Sequence, residues 1–106
     1  MGYAKERGKL EKLSGKIVGL DIYNEKNFAI LVDSHENYSH TIRILKNKEP
    51  ELFMELYTNE LQEIKIARKA VKESETDEAR QANFILYRDT IVRVMAKTIE
   101  ITNQTN

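Results

Sequence analysis

Four side chains between Asp33 and His40 have the chemistry of a metal site: Asp33, His35, Glu36 and His40 can each give an electron pair to a divalent cation. A zinc centre needs three or four ligands held rigidly. One carboxylate between two histidines in a polar segment offers no such frame, so the sequence argues for no metal and no cofactor. Ser34 beside His35 fails as a nucleophile pair, because neighbours on an extended chain point apart and no buried acid is identifiable. The many Asp and Glu carboxylates carry no mark of the desolvation that general acid–base work needs. None of the 4 glycines builds a phosphate-cradling loop. Catalysis is the least supported class, and the expectation is a non-enzyme.

Cations and aromatic rings offer a different chemistry. Tyr23, Tyr38, Arg43, Lys65, Lys69, Tyr87, Arg88 and Arg93 are the residue types that grip single-stranded nucleic acid. Cations follow the phosphates, and rings stack on bases at about 1–3 kcal/mol each. Lys5, Arg7, Lys9 and Lys12 in the first segment add nonspecific phosphate contacts. Against this stand Glu73, Glu75, Asp77 and Glu78, which repel phosphate. Exposed charges of both signs are also, more often than not, simply a solvated surface.

Composition bounds the rest. A chain of 106 residues with 41% hydrophobic content encloses one modest core. Its 17 basic and 17 acidic residues cancel, so no global field draws in nucleic acid or an anionic membrane. Cysteine is absent, which removes disulfides and thiolate chemistry and fits a reducing, cytoplasmic address. No signal-peptide core and no run of roughly 20 apolar residues is present, so the expected protein is soluble, not exported and not membrane-bound.

The elements must position these side chains. Residues 1–13 read as an N-terminal arm or short helix, residues 14–102 as the domain, and residues 103–106 as a polar tail. In GKIVGLDIY, Val18, Leu20 and Ile22 alternate with Ile17, Gly19, Asp21 and Tyr23, which predicts a strand. NFAILVD, with Phe28, Ile30 and Val32 on one face and Ala29 and Leu31 on the other, predicts a second. DSHENYSH (33–40) reads as a loop and HTIRILK as a third strand with Ile42 and Ile44 inward. Pro50 suits the first turn of a helix carrying Leu52, Phe53, Leu56 and Tyr57 and ending near Thr58 and Asn59.

The stretch EIKIARKAV (63–71) is ambiguous. Ile64 and Ile66 alternate as in a strand, yet Phe53, Tyr57, Leu61, Ile64, Ala67 and Val71 fall three or four apart as on a helix. FILYRDTIVRVMAKTIEI is dense in β-branched residues, which favours a strand. Its Phe84, Tyr87, Ile91, Val94 and Met95 nonetheless gather on one side of a helical wheel, with Ser74 or Thr76 as a candidate N-cap. The expected fold is mainly β: a five-stranded OB-like barrel with one helix between strands 3 and 4. The alternative is α+β, a three-stranded sheet packed on a helical hairpin.

The run ELFMELYTNELQEIKIARKAVKES followed by YRDTIVRVMAKTIEI resembles the second half of bacterial single-stranded-DNA-binding proteins, and NFAILVDS with SHTIRILKN looks like their central strand pair. The likeness covers residues 16–101. It lacks their Gly/Pro-rich linker and acidic C-terminal peptide, since the chain ends ITNQTN. The resemblance implies noncatalytic binding of single-stranded DNA or RNA. On the open barrel face Tyr23, Arg43, Lys65, Lys69 and Arg93 project toward the strand, while Tyr38, Tyr87 and Arg88 stand at its edge. The alternative function is a small protein-interaction or inhibitor module of phage or mobile-element type. Self-association is expected in both cases, because Ala29, Leu31, Ile91 and Met95 otherwise expose an apolar face.

Overall fold

The computed structural model describes residues 2–104 and contains no strand among them. Its elements are α1 (Ala4–Ile17), α2 (Glu25–Lys48), α3 (Pro50–Glu55), a π-helical turn (Leu56–Glu60), α4 (Leu61–Lys72) and α5 (Asp77–Gln104). α3, the π turn and α4 run on as one rod, so the chain makes four helices packed up and down. Glu6 meets Lys48 across α1 and α2. Glu60 meets Lys97, and Glu63 meets Arg93, across the antiparallel α4–α5 hairpin. Arg7 donates to the Thr102 carbonyl and closes α1 against α5.

Local chemistry explains the breaks. Asn24 caps α2 by accepting from the Asn27 backbone N–H at 2.7 Å. Pro50 disfavours helical geometry at the residue before it, and Glu49 accordingly sits at φ −141°, ψ 81° as the single link between α2 and α3. The Tyr3 hydroxyl donates to the Glu49 carboxylate, a bond that pushes the phenol up to about 12. Thr76 caps α5 by accepting from the Ala79 N–H at 3.0 Å.

The β-barrel, the rival three-stranded sheet and the likeness to single-stranded-DNA-binding proteins are therefore overturned. Burial shows why alternation misled. Ile17 is buried, while Val18 and Ile22, on the other face of the expected strand, are 56% and 65% exposed. Leu31 is buried and Ile44 is exposed, so the second and third segments follow a 3.6-residue period as parts of α2. DSHENYSH is mid-helix, with Ser34, His35 and Tyr38 buried. The helix predicted to end near Thr58 instead passes through the π turn into α4. The helical hairpin of the rival reading is present; its sheet is not.

In EIKIARKAV the decision is sharp: Ile64 is fully buried and Ile66 is 69% exposed, which a strand with both on one face cannot produce. The β-branched run 90–101 loses at most about 0.7 kcal/mol per residue by being helical. Burying Phe84, Tyr87, Ile91, Val94 and Met95 completely returns about 1.5–3 kcal/mol for each side chain. Packing outweighs propensity.

The first segment, expected as an arm or a short helix, lies in a helix. α1 crosses the 13/14 boundary and buries Leu10, Leu13 and Ile17. Asn103 and Gln104 of the predicted tail belong to α5; Thr105 and Asn106 lie outside the described residues. Among the described residues no helix is long and apolar enough to cross a membrane.

Candidate functional site

The eight residues expected to grip nucleic acid are not brought together. Tyr38 and Tyr87 have no solvent exposure, so neither ring can stack on a base. The Tyr38 hydroxyl lies 2.8 Å from Thr98 Oγ1. Thr98 spends its own proton on the Val94 carbonyl, so Tyr38 is the donor of this buried bond. Tyr23, in the α1–α2 connection, packs edge-on to Phe84 with Arg80 over its ring. Arg88 ties that connection down, donating to Leu20 O and to Asp21 Oδ1 at 2.6 Å. Burial opposes its charge, but bonds to Asp89 and Asp21 more than offset this and hold it firmly protonated. Arg43 is exposed on α2. Lys65 and Lys69 are exposed on α4, and Lys69 pairs with Glu73. Arg93 faces the opposite side of the hairpin and pairs with Glu63 at 3.1 Å.

The histidine cluster separates likewise. His35 is buried, with Nδ1 2.9 Å from the Tyr87 hydroxyl, whereas His40 is exposed. Burial, reinforced by the charges of Arg68 and Lys65, lowers His35 to about 4, so it is neutral at pH 7. The Tyr87 phenol is raised, chiefly by burial. Among the described residues no group of three His, Cys, Asp or Glu side chains is placed to hold a metal ion. A buried neutral pair of this kind fixes helix packing.

Two surface features stand out; the first was missed from sequence, whereas the second was read there in part, as the cations Lys5, Arg7, Lys9 and Lys12 of the first segment. The first is a groove along the outside of the α4–α5 hairpin, lined by Glu63, Ile66, Ala67, Ala70, Leu86, Thr90 and Arg93, with a volume of about 320 Å³. Ile66 and Leu86, 69% and 56% exposed, stand as ridges on either side of a floor of small side chains. Most large exposed aliphatics occur singly; this pair flanks one trough. Residues 63, 66, 67 and 70 are one face of α4, and 86, 90 and 93 one face of α5, a periodicity visible only after both segments are known to be helical.

The second is cationic. Lys5, Lys9, Lys12 and Lys16 fall at i, i+4, i+7 and i+11 of α1, all exposed, hence within about 60° of arc along roughly 16 Å of helix. None of the four has an ion-pair partner among the described residues.

A third feature is smaller. The π turn brings Glu60 to a cavity of about 140 Å³ lined also by Leu52, Glu55, Leu56, Lys97 and Ile101. Glu60 Oε2 accepts from Lys97 Nζ at 2.8 Å, a bond that raises the lysine.

Comparison with protein-family models, with curated proteins and with solved structures found no significant match to this chain. The chemistry of these surfaces therefore carries the functional reading by itself.

Proposed function

We propose that this chain is a noncatalytic helical docking module that presents the outer face of its α4–α5 hairpin to a protein partner. The observation that carries this reading is the pair of exposed aliphatic ridges, Ile66 and Leu86, over the small-residue floor of Ala67, Ala70 and Thr90. Such a trough accepts an apolar helix face at i, i+3 and i+4 spacing, and the Glu63–Arg93 pair at one end adds polar selectivity at little energetic cost. A cytoplasmic address belongs to the same proposal, supported by the lack of cysteine. The test is a photo-cross-linking amino acid placed at 66 or at 86 in the producing cell, with 9 and 47 as exposed controls. Discrete adducts from 66 and 86 and none from the controls are expected. Absence of adducts from either groove position removes the proposal.

A second reading rests on the lysines of α1. Four unpaired cations in one stripe suit the phosphate backbone of a single-stranded nucleic acid, without the aromatic groove that the barrel would have supplied. Fluorescence anisotropy with an oligo-dT probe at low and high salt tests it. Binding that weakens steeply with salt and disappears in Lys9→Glu/Lys12→Glu is expected; salt-insensitive or absent binding excludes it.

A further inference from the structure

The geometry points to a second copy of this chain as the occupant of the α4–α5 groove, an inference that rests on the groove being a docking surface. The contacts Glu60–Lys97, Glu63–Arg93 and Ser74–Asn83 fix the antiparallel register of the hairpin. In that register Ile66 lies level with Thr90, and Leu86 lies level with Ala70. Each ridge therefore stands beside a small residue on the other helix.

A two-fold axis parallel to the hairpin places α4 of one copy over α5 of the next at unchanged height. Ile66 then enters the space over Thr90 between Leu86 and Arg93 of the facing copy. Leu86 enters the space over Ala67 and Ala70, beside Ile66. Both contacts are knobs into holes, and both occur twice.

The charges select this arrangement over its rival. Under a parallel two-fold axis Glu63 of each copy comes over Arg93 of the other, so the pair that bridges the groove within one chain is repeated between chains. A two-fold axis crossing the hairpin at the level between Ile66 and Leu86 instead stacks α4 on α4 and α5 on α5, which takes Glu63 of each copy away from Arg93 of the other and forms no such pair between chains. A chain of zero formal net charge adds no long-range repulsion between copies.

The face is small. From the Glu60 level to the Ser74 level the hairpin runs about 21 Å, and two helices side by side are roughly 20 Å wide. About 400 Å² is thus buried per copy, half of a standard interface. The association is accordingly weak and concentration-dependent.

Sedimentation velocity on the full chain, from about 5 µM to several hundred micromolar, a range set by affinities of weak interfaces, reads it directly. The wild type is expected to shift from monomer to dimer across that range. Ile66→Glu and Leu86→Glu, at exposed positions and with helical circular dichroism retained, should each weaken dimerisation at least about tenfold. Glu63→Arg alone and Arg93→Glu alone should each stay monomeric, whereas the two variant chains mixed together should form a heterodimer. Only exchange of these charges between chains produces that restoration; a role confined to one chain does not.

A wild type that is monomeric throughout, a dimer indifferent to Ile66→Glu and Leu86→Glu, or a mixture that fails to pair overturns the proposal. The mass of the adducts from position 66 separates the two readings. A monomeric wild type that still cross-links to a protein of different mass retains the docking module and removes the second copy. No adduct removes both.

Discussion

Acidification should loosen this bundle through His35 before it acts on most of the surface. The ring is buried and faces the Tyr87 hydroxyl on α5, Arg68 and Lys65 on α4, and its own neighbour Glu36, which pairs with Arg68 at 3.9 Å. Its folded-state value of about 4 lies below its ordinary 6.5. The unfolded chain therefore takes up a proton first as pH falls. The stability held by the neutral ring is complete above pH 6.5, is lost as pH falls from 6.5 toward 4, and changes no further below that. The limiting loss for such a shift is about 3 kcal/mol. Screening by water around the exposed Lys65 and Glu36 reduces this to about 2 kcal/mol.

The assay is urea unfolding of the wild type and of His35→Asn at pH 7 and pH 4.5, followed by circular dichroism. The replacement amide keeps a hydrogen-bonding group near the Nδ1 position for the Tyr87 hydroxyl but does not titrate, so any packing defect offsets the variant's curve equally at both pH values. Carboxylates shared by both proteins cancel in the difference. The wild type should lose about 2 kcal/mol more than the variant between the two pH values. Parallel losses would show that His35 titrates normally and that its burial beside Arg68 and Lys65 does not hold it neutral.

Two further outcomes test the core and the first helix. Thr98→Val leaves the buried Tyr38 hydroxyl without its acceptor and should cost about 1–3 kcal/mol by urea unfolding; adding Tyr38→Phe should recover part of that cost, and a strictly additive pair would refute the bond. Gly8 and Gly15 lie within α1 with nothing within 4 Å of an added Cβ, so Gly8→Ala and Gly15→Ala should each raise stability by about 0.8–1 kcal/mol. An unchanged or lowered urea midpoint would show that these positions need the bare backbone.

Cross-linking at 66 and 86, oligo-dT titration and sedimentation address the surface. They are independent of these stability measurements, because Ile66, Leu86 and the α1 lysines are exposed and contribute little to the core.

Several features were legible from sequence alone, each resting on chemistry within a few residues. Pro50 marked the start of the helix that follows it, because its missing N–H costs nothing in a first turn, and Ser74 or Thr76 was a recognisable cap, the structure using Thr76. The 3.6-residue spacing of Phe84, Tyr87, Ile91, Val94 and Met95 marked the buried side of α5. Zero net charge and the lack of cysteine followed from composition. The strands expected over residues 14–45, and the choice between strand and helix left open for residues 60–101, were different, because short apolar runs such as Phe28–Val32 and Ile64–Ile66 satisfy both periods. Only packing broke the tie, by burying Ile17 and Ile64 while leaving Val18, Ile22 and Ile66 outside. Nor could local pattern join His35 to Tyr87 or Tyr38 to Thr98, or bring Ile66 beside Leu86. Those meetings bridge 20 to 60 residues of chain, and they exist because four amphipathic helices close on one shared core.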